Sequence, residues 1–449
     1  MIAPAQALDQ TAGLLETSQL YAWEVFLVSQ QELSLQAKEG QIETLTRATE
    51  TGLAVRALVD SGRGLKAGAA FTYDFSPQAL AEAVAQAKGL ALLSPPEPDL
   101  DLAPPPHSLP QIETLDPELA SISQEEKARL ALELEAVGLA YDPRIVKVRR
   151  AGYQERQTQV WLRNSLGLDL FRAGTLCQVE ILLLARQGQE NQTGYDFAFS
   201  PFFRRLDPAA CAKTAASLAV GLLGAGRGQS GPFPVVFSNL VAAELLSVLA
   251  PAFLAENVQK GKSLLAGRLG QKVFSDKVSI LDDGLYKEGL GSRPFDDEGT
   301  PQQTTHLVND GLLQGFLYDR LAAARGKRPP TGNGRRPSLK TPPLTQPTNF
   351  YLKPGQGNLE SLIADLAEGF LVSEVMGLHT ADPISGEFSL GASGFWIKDG
   401  RKNRPIQAAA ISGNLLDLFG RVARVGADLK FIGQVGSPSF LVDRLDVAG

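Results

Sequence analysis

The chain has 449 residues, 44% of them hydrophobic and 20% charged, with a net charge of −6. That length carries two or three domains with sizeable cores, and the composition is that of an ordinary globular protein. Two classes drop out at once: no run approaches the ~20 apolar residues a membrane-spanning helix needs, and a mildly acidic chain is a poor general binder of phosphate backbones.

The start, "MIAPAQALDQTAGLL", lacks the basic stretch and apolar core of a secretory leader, so a cytoplasmic location is expected. From Tyr21 to Phe71 polar and apolar residues alternate, broken by glycines and Asp-Ser-Gly, which predicts an antiparallel meander. "SPQALAEAVAQAKGLALL" then predicts a helix, with Ser76 as N-cap and Pro77 in the first helical position. Ser94 to Pro110 holds seven prolines and predicts an extended linker or a long surface loop. "SQEEKARLALELEAVGLAY" is an amphipathic helix. "RIVKVRRAGYQER", "QTQVWLRNS" and "DLFRAGTLCQVEILLLARQG" are strand-like, with a hairpin turn at Asn164-Ser165-Leu166-Gly167. Asp207 and Pro208 open another helix.

"GRGQSGPFP" at 226–234 marks a second boundary. Beyond it the sequence is rich in glycine and short strands, with helices near Leu240–Ala255, Leu359–Gly369 and Leu415–Val425, and a hairpin at "KDG", Lys398 to Gly400. The pattern is α+β: an N-terminal antiparallel sheet-plus-helix region and a strand-rich C-terminal domain with interspersed helices. The expected units are 1–93, a proline-rich linker at 94–116, a middle α+β unit at 117–225 and a β-rich domain at 226–449.

Reactive groups are sparse. His107, His306 and His379 are scattered, so the two histidines one helical turn apart that a zincin requires are absent. Cys177 and Cys211 form no CxxC pair and read as reduced, partly buried thiols. "FDDEGTPQQ", Phe295 to Gln303, fits a charged turn better than a cation site, because neighbouring acids on a strand point to opposite faces. "PTGNGRR", Pro330 to Arg336, is not a phosphate loop. Its glycines would let backbone approach a ligand, and Arg335 and Arg336 could hold a peptide carboxylate or a partner's acid; a flexible surface loop fits those residues equally well. Ser389 and Ser393 have neither a GxSxG elbow nor a nearby histidine. The helix opening at Val241 presents Leu245, Leu246, Leu249 and Phe253, and nothing reactive.

Three longer phrases carry a resemblance: "GSRPFDDEGTPQQTTHLVNDGLLQGFLYDRLAAARGKRPPTGNGRR", "NFYLKPGQGNLESLIADLAEGFLVSEVMG" and "ISGEFSLGASGFWIKDGRKNRPIQAAAISGNLLDLF". With "GQIETLTRATETGLAVRALVDSGRG" near the N-terminus, the chain resembles the TldD/PmbA family, also called modulator of DNA gyrase. The resemblance implies a heterodimeric zinc metallopeptidase that cuts unfolded peptides, with roles in peptide-antibiotic maturation and antitoxin turnover. In the TldD branch a HExxxH helix and a later cysteine bind the zinc; the PmbA or TldE branch lacks them.

With a one-residue gap, the HExxxH position falls on Ser247 to Ala252, "SVLAPA", and "GQVGSPSFLVDRLDVAG" has no cysteine. "LVSEVMG", "ASGFW" and "ISGNLLDLF" look like the PmbA side, while "DDEGTPQQ" and "PTGNGRR" look closer to TldD. The resemblance therefore implies a PmbA/TldE-like subunit with no catalytic or metal-ligating residue and no cofactor of its own. Zinc is expected on a TldD-like partner, in a dimer that takes unfolded peptide and binds neither membrane nor nucleic acid. Candidate substrate contacts are Thr331, Gly332, Asn333, Gly334 and Arg335, with β-strand addition as a mode of holding the peptide. The alternative is a non-proteolytic regulatory binding protein of the gyrase-modulator type.

Overall fold

The structure is a computed structural model and describes residues 2–449. The N-terminal half repeats one pattern. Helix α1 (Pro4–Glu16), strands β1 (Ala22–Lys38), β2 (Gln41–Asp60) and β3 (Leu65–Thr72), and helix α2 (Pro77–Leu93) form the first unit. Helix α3 (Gln124–Ala140), strands β4 (Ile145–Asn164), β5 (Asp169–Gln187) and β6 (Glu190–Ser200), and helix α4 (Pro208–Gly221) form the second. The two units share one antiparallel sheet in the order β3-β2-β1-β4-β5-β6, joined where β1 pairs with β4 from Glu24↔Asn164 to Ala37↔Ala151.

Local chemistry sets these elements. Ser76, Ser123 and Asp207 each accept the third helical N–H beyond them, from Ala79, Glu126 and Ala210, so α2, α3 and α4 begin where the caps predict. The turn at Asn164–Gly167 closes as expected, with Asn164 Oδ1 accepting from Leu166 N–H and Gly167 at φ 90°. Helix α1 has no side-chain cap and was not legible as a helix; Ala7, Leu8 and Leu15 hold it against the sheet.

Strand alternation separates the two faces of the sheet. Val25, Leu27, Leu33 and Leu35 of β1 face the helices, joined there by Tyr153 of β4 and Val179 of β5. The even-numbered residues of β1, β4 and β5 point the other way and are mostly polar: Gln30, Ser34, Gln154, Thr158, Arg172 and Gln178. The proline-rich stretch ties onto the sheet. Asn164 Nδ2 donates to Ala103 O at 2.8 Å, Thr175 N–H donates to Thr114 O at 2.8 Å, and Leu102 and Ala103 are buried.

The C-terminal half contains β7 (Gly231–Phe237), α5 (Asn239–Leu249), α6 (Ala255–Gln259), β8 (Ile280–Asp283), β9 (Thr304–Asn309), β10 (Leu312–Leu313) and α7 (Arg320–Gly326). It continues with β11 (Gly334–Arg335), β12 (Leu344–Thr345), β13 (Phe350–Leu352), α8 (Leu359–Ile363), β14 (Glu368–Met376), β15 (Glu387–Lys398) and β16 (Arg401–Asn414). It ends with α9 (Leu415–Gly420), β17 (Val422–Val425), β18 (Lys430–Ile432), β19 (Val435–Ser437) and β20 (Phe440–Ala448). One sheet runs β16-β15-β14-β7-β20-β17 and closes on itself where β16 meets β20; a second runs β10-β9-β8-β13-β19-β18, and β11 and β12 pair as a two-stranded ribbon.

Helix α5 contributes to the large core shared by these sheets. Leu245, Leu246 and Leu249 are fully buried, as is Phe253 of the turn that follows, in keeping with a helix that is apolar nearly all round. The hairpin at "KDG" forms, with Asp399 and Gly400 both at positive φ, as a two-residue turn matched to strand twist requires. All three helices predicted in this half are shorter than expected, and α5 gives way at Ala250 to a 3₁₀ turn. Residues 364–369 leave α8 for a loop and β14, and Val422–Val425 forms a strand because these β-branched residues pair with Val442 and Phe440 of β20.

Candidate functional site: an arginine-walled cleft

The polar face of the N-terminal sheet does not reach water freely. Segments 289–294 and 335–339 of the C-terminal half lie across it and leave a cleft of about 970 Å³. An apolar contact at one end, with Phe26, Val160 and Leu162 against Phe295 and Leu339, fixes the two halves together.

Both motifs singled out in the sequence meet in the C-terminal wall. Residues 296–300 do form a turn: Asp296 Oδ1 accepts from Glu298 N–H at 3.0 Å and Thr300 N–H at 2.9 Å, and Gly299 is at φ 89°. The turn is buried, and its three acids diverge to different partners. Asp296 Oδ2 accepts from Gly334 N–H, Asp297 from Arg172 and from Arg336 N–H, and Glu298 Oε2 from Arg320 N–H.

Residues 331–336 are pinned by the same network, so the flexible-loop reading does not hold. Thr331 Oγ1 donates to Asn333 Oδ1 at 2.6 Å. Asn333, fully buried, donates from Nδ2 to Asp282 Oδ2 at 2.7 Å and to Gln346 O at 2.9 Å. Gly332 adopts φ 79°, and a Cβ there would lie 2.9 Å from Pro301 O. Gly334 pairs with Thr345 on one side and accepts from Asp297 N–H on the other, leaving its backbone no free edge for an added strand. The five predicted contacts thus have two settings. Thr331, Gly332, Asn333 and Gly334 hold the loop; Arg335 lines the cleft.

Sequence reasoning missed Arg172 and Arg293, which line the cleft beside Arg335 and Arg336. Arg293 lies two residues before "FDDEGTPQQ", within a phrase that carries the resemblance, but nothing there marks it out; Arg172 belongs to no motif, lies 163 residues before Arg335 in the chain and reaches the wall only because β5 crosses beneath it. Arg336 pairs with Glu24, and Arg172 with Asp297. Burial pushes the Arg172 guanidinium down to about 10, and repulsion from Arg293, then burial, pushes Arg335 down to about 9. Burial works upward on Asp297, but the charges of Arg172, Arg293 and Arg335 hold its carboxyl below the usual range. Burial raises Asp282 to about 6, against the hydrogen bonds from Asn333 and Thr348.

The residues at the position where a zinc motif would fall lie elsewhere. Helix α5 ends at Leu249 and a 3₁₀ turn follows at Ala250–Phe253. Ser247 is exposed, and Leu249, Ala250 and Ala252 are packed in the core. Zinc takes thiolate, imidazole or carboxylate ligands, and the "SVLAPA" side chains supply none, so this segment does not fit the metal. The three histidines are exposed on separate segments, and among the described residues no group of three or more His, Cys, Asp or Glu is placed to hold an ion.

A repeated αβββα unit sharing one antiparallel sheet, joined to a β-rich C-terminal domain, defines a multidomain α+β protein, and comparison with known proteins identifies its family. Matches to the PmbA/TldA metallopeptidase family cover residues 23–91 as domain 1, 117–223 as the central domain and 230–449 as the C-terminal domain. The chain belongs to the PmbA/TldD family. It is 26% identical to the metalloprotease PmbA homolog of Haemophilus influenzae, over 95% of this chain and 92% of that one. It is 27% identical to the metalloprotease TldD homolog of the same organism, over 96% and 93%. The crystal structure of TldE from Thermococcus kodakarensis superposes with a TM-score of 0.90 at 22% identity, over 99% of this chain and all of that one, a likeness of fold.

Proposed function

We propose that this chain is a PmbA/TldE-like subunit of a cytoplasmic two-subunit peptidase, acting in the proteolysis of unfolded peptides. A TldD-like partner holds the zinc, and this chain holds part of the substrate in the arginine-walled cleft. The observation that carries this reading is the Ser247–Ala252 segment: in a metallopeptidase family it offers no zinc ligand, and Leu249, Ala250 and Ala252 are packed in the core. The cleft supports the second half of the reading, with a largely polar floor, a charged wall and room for several residues of extended chain. Arg335 makes the proposed contact there, and Thr331 to Gly334 hold it in place.

The test is zinc content, measured on the chain purified alone and on the chain co-purified with a TldD-like subunit. No metal alone and about one zinc per heterodimer is the expected result. Stoichiometric zinc on the lone chain, using His306 or His379, would overturn it. Recovery of gyrase with no TldD-like chain from a pull-down would favour the regulatory alternative.

A further inference from the structure

Five arginines line the cleft: Arg156 pairs with Glu32, and Arg172 of the sheet stands with Arg293, Arg335 and Arg336 of the wall, where two carboxylates are paired with these four. Glu24 is taken by Arg336. Asp297 is taken by Arg172 and by the backbone N–H of Arg336. Arg293 and Arg335 are left over. Among the described residues the sole ion pair of Arg293 is with Asp297 at 3.8 Å, beyond hydrogen-bond reach, and its Nε and Nη2 are buried without acceptors. The Arg335 side chain has no hydrogen bond or ion pair among the described residues, and its Nη1 is likewise buried without an acceptor. The adjoining buried acids do not serve them: Asp282 accepts from Asn333 and Thr348, and Asp296 from the N–H groups of Glu298, Thr300 and Gly334.

The buried Arg293 and the half-buried Arg335 repel one another, and N–H groups stripped of water without a replacement acceptor are costly to keep. One planar anion between them would answer both costs, since a guanidinium fork matches the two oxygens of a carboxylate. We infer that Arg293 and Arg335 form a receptor for a single carboxylate, and that its ligand is the free C-terminus of a peptide. This rests on the peptide-holding reading above. Every unfolded peptide ends in that group whatever its sequence, so the contact gives a fixed register with no side-chain preference. The glycine-containing segment 289–292 and the polar sheet face are then the surfaces along which the chain runs back from its terminus.

The experiment uses the full chain and three probes: an N-acetylated unstructured hexapeptide with a free C-terminus, the same peptide as its C-terminal amide, and N-acetylalanine. Binding is read by calorimetry and by thermal shift, in the wild type and in Arg335→Gln. The expected result is an acid form that binds at least about tenfold more tightly than the amide, a preference lost in Arg335→Gln, and stabilisation by N-acetylalanine that needs Arg335. The comparison of acid with amide in the wild type stands even if the variant folds poorly. Equal binding of acid and amide overturns the carboxylate receptor and leaves the peptide-holding reading intact. Arg335-dependent stabilisation by N-acetylalanine with no binding of either peptide overturns the peptide-holding reading and the C-terminus as ligand, while keeping an anion site. No response to any probe overturns the receptor.

Discussion

Arg336 and Glu24 lie 312 residues apart and form an ion pair whose side chains are 3% and 2% exposed. The pair ties the loop that carries Arg335 to the central strand of the N-terminal sheet. Removing one partner leaves a buried charge with no counter-ion, which costs about 3–5 kcal/mol. Glu24→Gln or Arg336→Met should each lower the unfolding free energy by that amount, read by urea denaturation. The joint replacement Glu24→Leu with Arg336→Met should recover most of the loss. Additive losses would show that the two side chains do not depend on each other.

Glu298 should make stability fall as pH rises. Burial, then the charges of Asp296 and Asp319, push its carboxyl above the ordinary carboxylate range. The folded chain therefore binds a proton that the unfolded chain releases. This contribution is complete below the unfolded value and is lost as pH rises through the raised folded value, at up to about 1.4 kcal/mol per pH unit. Asp282, held at about 6, acts in the same direction over a lower window. Thermal melts from about pH 5 to about pH 9 should show the decline, and Glu298→Gln, neutral throughout, should flatten its upper part. An unchanged slope in the variant would remove Glu298 as its source.

Gly332→Ala should destabilise the wall without touching the cleft. The backbone is at φ 79°, and the new methyl would meet Pro301 O at 2.9 Å. A cost of about 1–3 kcal/mol is expected, read by chemical denaturation. A neutral substitution would mean that the loop can move aside.

The thiols should be inert in the native protein. Burial pushes both Cys177 and Cys211 up to about 12, and both are free. Thiolate is the reactive form, so a disulfide reagent should label neither cysteine until denaturant is added, and then both. Rapid labelling of the folded chain would contradict the burial.

Leu249→Ala should cost about 2–5 kcal/mol, the range for deleting a fully buried leucine side chain. A loss of that size, with secondary structure retained by circular dichroism, would establish the segment at the zinc-motif position as core; a loss well under 1 kcal/mol would remove it from the core.

Local rules carried a good part of the fold. The caps at Ser76, Ser123 and Asp207, the turns at Asn164–Gly167 and Asp399–Gly400, and the β1–β3 meander formed where their residues demanded, because each depends on neighbours within a few positions. The absence of His and Glu from Ser247–Ala252, and the family phrases around it, were also legible in the one-dimensional chain. The site was much less so. "FDDEGTPQQ" and "PTGNGRR" have the composition of solvated turns, yet they lock together in the interior. That burial is possible only because β1 and β5 deliver Glu24 and Arg172 from the other half of the molecule.

By itself the sequence determined most of the strands and helices, the lack of His, Cys and acidic side chains in Ser247–Ala252, and the family. The tertiary structure alone decided that arginines from distant segments cluster at one cleft, that among the described residues Arg335 has no counter-ion and Arg293 only a distant one, and that Arg335 lines the cleft while Thr331 to Gly334 do not. The reason is physical: backbone geometry is set over a few residues, whereas burial and charge pairing are set by whichever segments the sheet order brings together, and pairing across hundreds of residues leaves no periodicity to read.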